Sequence, residues 1–470
     1  MSVQGQAEAG QEVRVSAVRR AVTGAAIGNL IEWFDYASYG YLAATIAAVF
    51  FAAGNETAAL LGAFGVFAVS FIVRPLGGLF WGHFGDRLGR KRILALTIII
   101  MSASTFAIGL IPSYAAIGLA APLLLLVARL VQGFSAAGEY AGAASFIAEY
   151  ASERRRGLLV SMVPASTAAG LALGILVATL LQHNLTEAAL QSWGWRVPFL
   201  MAGPLGVIGL YIRMSLEDTP VFQELENRQE IEQAPLLAGL RRNYKQILVA
   251  FGVVCLNAVG FYMILSYMPT YLSQELGFAS VTANLTTIVS LATYVLLLPL
   301  VGSLADRVGR KPVLISACVL FVIFTLPAFE LLSLGGVAFA ILAQILLGAM
   351  LAGNDGVLAT FLTEMFPTKV RYSSFALSFN LGNALFGGTA PFVATFLIAR
   401  TNNDFAPGFY LMAAAVVALL ALLKTKETAW QPLQQEPAEE VTPGPSPDAE
   451  PHLIPEVETR TVDADRRESL

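Results

Sequence analysis

Five ionisable residues stand inside otherwise apolar stretches: Glu32, Asp35, Arg74, Arg129 and Glu139. A charge at mid-bilayer depth costs at least ~2.5 kcal/mol, so such residues are expected to act rather than to decorate. Glu32 and Asp35 share a broad helix face with Asn29, Tyr36 and Tyr39, and Glu139 shares one with Gln132 and Arg129. Burial favours a protonated carboxyl and a neighbouring arginine favours the ionised one, so a carboxylate whose arginine can be drawn away is a proton switch. Glu32, Asp35 and Glu139 are the candidates for proton uptake and release. Arg74 and Arg129 offer a fork of donors for an anionic group, with Asn29, Tyr36, Tyr140 and Tyr262 beside them. Trp33, Tyr36, Tyr39, Tyr140, Phe261, Tyr262 and Tyr267 add rings suited to a quaternary ammonium. The alternative, that these charges neutralise one another and lock helices together, stays open at this point.

Such residues need a frame that holds them inside a membrane. Of 470 residues, 56% are hydrophobic and 13% charged, with a mean hydropathy of +0.65. A soluble domain has about 25% charged residues, so the composition excludes one. The apolar residues fall in runs of about 20, the length that crosses a hydrocarbon core. Twelve helices are expected: 21–50, 59–84, 93–111, 119–149, 157–183, 194–214, 245–273, 281–304, 312–331, 337–365, 372–400 and 405–423. They are too long and too uniformly apolar for barrel strands, so an all-α bundle follows. Arg14, Arg19 and Arg20 precede the first run without a cleavage site, so no signal peptide is expected.

Of the 29 Lys and Arg, 25 fall on one side of these runs. Only Arg196 and Arg400 are on the other side, and Arg74 and Arg129 lie within spans. The positive-inside bias makes both termini cytoplasmic and the number of spans even. Residues 1–20 form a short N-terminus, 21–214 and 245–424 two six-helix bundles, and 215–244 a cytoplasmic linker. Residues 430–470 carry ten Asp and Glu against three Arg, with seven prolines. That acidic tail, 425–470, is expected to be disordered. Cys255 and Cys318 sit in apolar runs and read as packing residues, and no metal-ligand spacing occurs.

An internal repeat supports the two halves. Gly82, Asp86, Arg87, Gly89, Arg90 and Lys91 recur 220 residues later as Gly302, Asp306, Arg307, Gly309, Arg310 and Lys311. Glu149 with Arg156, and Glu364 with Arg371, repeat a seven-residue spacing at an offset of 215. Parallel six-helix repeats are a feature of two-halved transporters. Asp86, Arg87, Arg90, Glu149, Arg156, Asp306, Arg307, Arg310, Glu364 and Arg371 are expected to gate the cytoplasmic face, with Asp86 accepting from the helix beyond its loop and from an arginine of the other half. Each Glu is expected to pair with the Arg seven residues on.

The Gly-x-x-x-Asp-Arg-x-Gly-Arg-Lys loop resembles the signature of the major facilitator superfamily. The wording is similar to its metabolite:proton symporter family at Gly28 to Tyr36, Arg74 to Gly78, Gln132 to Ser135 with Gly138 to Tyr140, and Trp193 to Phe199. It is most similar to the members that carry proline and glycine betaine, at Ser104 to Phe106, Ile111 to Tyr114, Tyr267 to Leu272, and Met365 to Thr368 with Arg371 to Ser373. Unlike the best-known of those members, the tail shows no coiled-coil repeat.

The resemblance implies a proton-coupled symporter of the bacterial inner membrane that imports a small zwitterionic osmolyte by alternating access. No phosphate-binding Gly-rich loop occurs, so the expected energy source is the proton gradient, with no cofactor and no ATP. Expected partners are the small-molecule substrate, protons and the bilayer, with no nucleic acid. Two rivals are a carrier of an organic acid such as 2-oxoglutarate, citrate or shikimate, and a non-transporting sensor acting through its tail. No nucleophile with a base and orienter appears, so an enzyme is not expected.

Overall fold

The computed structural model describes residues 3–52, 56–215, 218–228 and 235–433. Among these every regular element is helical. The first helix, α1 (Val3–Tyr41), is followed by a short helix Ala43–Phe50. Eleven further helices are long and apolar enough to cross a membrane: α2 (Gly65–Leu88), α3 (Arg90–Leu110), α4 (Ala120–Tyr150), α5 (Arg156–Asn184), α6 (Glu187–Met214), α7 (Arg241–Gln274), α8 (Thr282–Val308), α9 (Arg310–Ser333), α10 (Val337–Met365), α11 (Thr368–Thr401) and α12 (Ala406–Leu423). α1 falls short of that measure because Arg19 and Arg20 precede its apolar stretch and Glu32 and Asp35 interrupt it. The expected span 21–50 is thus two helices, broken at Leu42.

Two of the breaks place candidate site residues. The run Glu56–Ile72 stops at Val73, and Arg74 with Pro75 opens the next helical stretch, where proline is accommodated because its missing N–H has no partner to lose. In α4 the helix Ala120–Ala136 ends before Gly138, and Glu139 begins a new first turn. Gly89 and Gly309 have φ of 97° and 111°, a backbone favoured only by glycine, so one residue turns α2 into α3 and α8 into α9. That need explains why the repeated loop keeps its glycine.

The segment 215–244 is not a simple loop. Thr219 caps a helix Pro220–Asn227, its hydroxyl accepting from the Phe222 N–H. A helix beginning at Pro235 runs on to Tyr262 through a kink at Asn243. The expected disorder of the acidic tail lies, beyond Leu433, outside the described residues.

α1 packs along α5, α3 along α6, and α8 along α10; α2 meets α11 and α5 meets α8 across the two groups of helices. Outward faces are apolar, with Ile72, Leu76, Leu119, Leu123, Leu296 and Phe392 each at least 60% exposed. Such a surface is stable against lipid and not against water.

Candidate functional site

Three ion pairs are buried among the helices that precede residue 215. From α1, Glu32 accepts from Arg74 Nη2 at 2.8 Å, and Asp35 accepts from Arg129 Nη1 at 2.8 Å. Gln132, one turn beyond Arg129, also donates to Asp35 at 3.1 Å and reaches Thr105. Glu139 is bound by Arg213 of α6 through both oxygens, and Thr97 donates to it at 3.2 Å. Arg213, which in the sequence is only one of the 25 cations on one side of the apolar runs, joins this candidate site. Its signal was present: Arg213 follows the apolar stretch Val197–Ile212 without a break and lies within the same span.

Rings surround the cations. The Arg74 guanidinium lies 4.7 Å from the Tyr36 ring and 4.8 Å from Phe71, and Arg129 lies 3.8 Å from the Tyr39 ring. In a desolvated setting such a contact is worth about 2 kcal/mol or more. Two expected lining residues turn away. Asn29 spends its amide on Val163 O, Ser166 and Thr167 of α5, and Tyr39 donates to Ala63 O at 2.9 Å. Both therefore fix α1 to its neighbours instead of facing open space. Tyr262 packs edge-on against Phe71 and Phe261, and Tyr267 contacts Thr395.

The central cavity is closed to about 20 Å³, room for little more than one water. Trp33 and Tyr140 line it from the first group of helices, and Phe261, Tyr294, Asp355 and Phe379 from the second. Tyr140 stacks flat on Phe379 at 4.4 Å, and Trp33 meets Phe261 edge-on at 5.1 Å. Asn383 of the lining sits in a π-helical turn, Asn383–Gly387, of the kind frequent at functional positions. Neither Arg74 nor Arg129 lines this cavity. Asp355 was missed in the sequence, although the argument that singled out Glu139 applies to it equally, since it interrupts the apolar run 337–365.

At the end of the bundle that carries the repeated loops, the charges pair across the halves. Arg371 donates to Glu149 at 2.7 Å, and Arg156 to Glu364 at 2.9 Å. The expected pairing of each Glu with the Arg seven residues on is therefore wrong. A break in the helix at Ala151 and Ser152, and at Phe366 and Pro367, turns each Arg away from its own helix end and toward the other group of helices. Asp86 accepts from the N–H groups of Tyr372 and Ser373 and from the Ser373 hydroxyl, at the start of the helix Arg371–Gly382. Asp306 accepts from the N–H groups of Gly157 and Leu158 at the start of α5. Each aspartate thus satisfies the exposed donors of a helix of the other half, not of the helix beyond its own loop. Its arginine partner is that of its own loop: Arg90 lies 3.2 Å from Asp86 and Arg310 2.8 Å from Asp306. Arg90 and Arg310 also reach Glu149 and Glu364, at 3.3 and 3.2 Å. Arg87 and Arg307, one position after each aspartate, are carried round the helix to the exposed rim, outside both clusters.

A further repeat completes the clusters. Asp218 accepts from Arg90 N and Lys91 N, and Thr219 donates to Glu149 at 2.5 Å. Glu427 accepts from Arg310 N and Lys311 N, and Thr428 donates to Glu364 at 2.7 Å. An acid followed by threonine, 209 residues apart, was the signal in the sequence. Burial holds the Asp218 carboxyl above its usual range, against the pull of the Thr219 N–H and Arg90. Among the described residues no cluster of His, Cys, Asp or Glu is arranged to hold a metal.

Comparison with known proteins agrees with this arrangement. A model described as Sugar (and other) transporter matches residues 21–246, and one described as Major Facilitator Superfamily matches residues 250–460. The chain is 42% identical over 426 residues to a glycine betaine/proline/ectoine/pipecolic acid transporter of Dickeya dadantii, covering 89% of this chain and 85% of that one. It is 40% identical to a proline/betaine transporter of Escherichia coli over the same shares. An ectoine/proline transporter of Corynebacterium glutamicum is 37% identical, over 88% and 85%. Among solved structures, the proton:xylose symporter XylE bound to 6-bromo-6-deoxy-D-glucose superposes with a TM-score of 0.75 at 20% identity, covering 89% of this chain and 98% of that one. On matching family models, on relatives that are themselves named transporters and on a shared fold, the chain is a multi-pass membrane transporter that belongs to the major facilitator superfamily.

Proposed function

We propose that the chain is a proton-coupled secondary symporter importing a small zwitterionic osmolyte of the proline or glycine betaine kind. The observation that carries this reading is the 37–42% identity to relatives named for those solutes. On this reading twelve spans form two six-helix halves, 21–214 and 245–424, joined by 215–244. Both termini face the cytoplasm of a bacterial inner membrane. The halves rock about the central cavity, and the crossed clusters at the loop end close the cytoplasmic face.

Glu32 and Arg74 are the coupling pair in this reading. A proton arriving at the Glu32 carboxylate removes the charge that holds Arg74, and the guanidinium fork becomes available to the carboxylate of the substrate. Asp35 with Arg129, and Glu139 with Arg213, then relay or stabilise the change on α1 and α4. Tyr36, Tyr140 and Tyr262 shape the route between Arg74 and the cavity. An organic-acid substrate fits less well, because no arginine lines the cavity and a carboxyl does.

Uptake of labelled proline, glycine betaine and 2-oxoglutarate into proteoliposomes tests the reading, with and without an inward proton gradient. Gradient-driven accumulation of proline or glycine betaine is expected. Accumulation confined to 2-oxoglutarate overturns it.

A further inference from the structure

Among the described residues the buried charged side chains are eight carboxyls and seven arginines. Seven of the carboxyls have an arginine partner within 3.3 Å: Glu32, Asp35, Asp86, Glu139, Glu149, Asp306 and Glu364. The eighth is Asp355. It is 1% exposed, and its partners are neutral: Tyr294 donates to Oδ2 at 2.7 Å and Asn354 Nδ2 to Oδ1 at 2.8 Å. The surplus of one acidic group therefore falls in the wall of the central cavity, where the proposed function places the solute. A buried carboxylate without a cation is costly, and a cationic ligand relieves that cost.

The neighbouring wall has the complementary chemistry. Trp33, Tyr140, Phe261 and Phe379 line the same cavity as Asp355, paired ring to ring as Tyr140 on Phe379 and Trp33 on Phe261, and aromatic rings attract an ammonium that has lost its water. We propose that Asp355 is the cation-binding group of the transport cavity, receiving the ammonium or quaternary ammonium head of the substrate inside this cage of rings. The inference rests on the osmolyte reading and extends it, since a zwitterion then spans from Asp355 to the freed Arg74. When the cavity is empty, Tyr294 and Asn354 hold the carboxyl in place of the ligand.

Tetramethylammonium carries the cationic head without a carboxylate, so it probes this site alone. Binding of labelled glycine betaine to the purified full chain, with tetramethylammonium as competitor, is the test. Competition is expected with the unaltered protein. Asp355→Asn should raise the tetramethylammonium concentration for half-displacement by about thirtyfold or more, the effect of removing one side of a desolvated charge pair. Asp355→Glu should recover part of it. Phe379→Leu, which keeps the carboxyl, should weaken displacement by about threefold or more and serves if the Asn variant fails to fold, as judged by its melting temperature. Displacement unchanged in Asp355→Asn overturns the proposal. So does normal binding of both ligands by that variant with loss of gradient-driven accumulation, which would make Asp355 a coupling group. Betaine binding without competition by tetramethylammonium overturns the cation site and leaves the osmolyte reading standing. Tetramethylammonium binding with none of betaine or proline does the reverse.

Discussion

Arg213 and Glu139 show what a buried pair demands of a single residue. Removing one partner strands the other charge, which costs about 3–5 kcal/mol, whereas removing both is close to neutral. Arg213→Ala should therefore lower the melting temperature of the purified protein sharply, and Arg213→Ala combined with Glu139→Gln should restore it. Transport separates from stability at the same residues. Glu139→Gln and Asp35→Asn should each abolish uphill uptake while solute exchange continues, and normal accumulation by both would remove them from the coupling path. The identity of these charges was legible because an ionisable residue in an apolar run stands out against its neighbours. Their partners were not, because Arg213 is 74 residues from Glu139 and nothing local links them.

At the scale of elements, the proposed function makes the loop end two crossed latches, each joining a helix start of one group of helices to a loop of the other. The latches close only because backbones approach there. A Cβ added at Gly157 would meet Gly302 O at 2.5 Å, and one added at Gly302 would meet Gly157 O at 2.6 Å. Gly157→Leu should hold this end open, reducing uptake at least tenfold while leaving the protein in the membrane. The check is faster labelling of a cysteine placed at Ser161 by a membrane-impermeant thiol reagent applied from the side of the repeated loops, cytoplasmic in the proposed reading. Unchanged labelling with lost uptake would assign the glycine to folding. The same geometry explains why the sequence misled about the glutamates: a spacing of seven puts two residues on one helix face only while the helix is continuous, and here it breaks between them.

For the whole molecule, the clusters reach past the last span. Glu427 and Thr428 contact α9 and α10, and Trp430 donates to Asp306 O at 2.8 Å. Truncation after Leu433 is expected to leave proteoliposome uptake intact. Truncation before Thr425 removes one latch and should cut uptake strongly. Equal uptake by the two truncations would deny the segment any part in gating, and loss of uptake in the longer one would return the tail to consideration as a functional element.

What the sequence determined alone was whatever depends on neighbours along the chain. Runs of apolar residues required helices in lipid, and a repeated loop pointed to two related halves. Isolated charges marked α1, α2 and α4 as the helices that matter. The tertiary structure decided everything that depends on distance across helices. Pairing placed Asn29 and Tyr39 in helix packing, moved Arg213 into the site, crossed Glu149 with Arg371 and Glu364 with Arg156, and left Asp355 without a cation. The physical reason is that a charge in low dielectric is governed by the groups within a few ångströms of it, and those are supplied by other helices whose register no local pattern encodes.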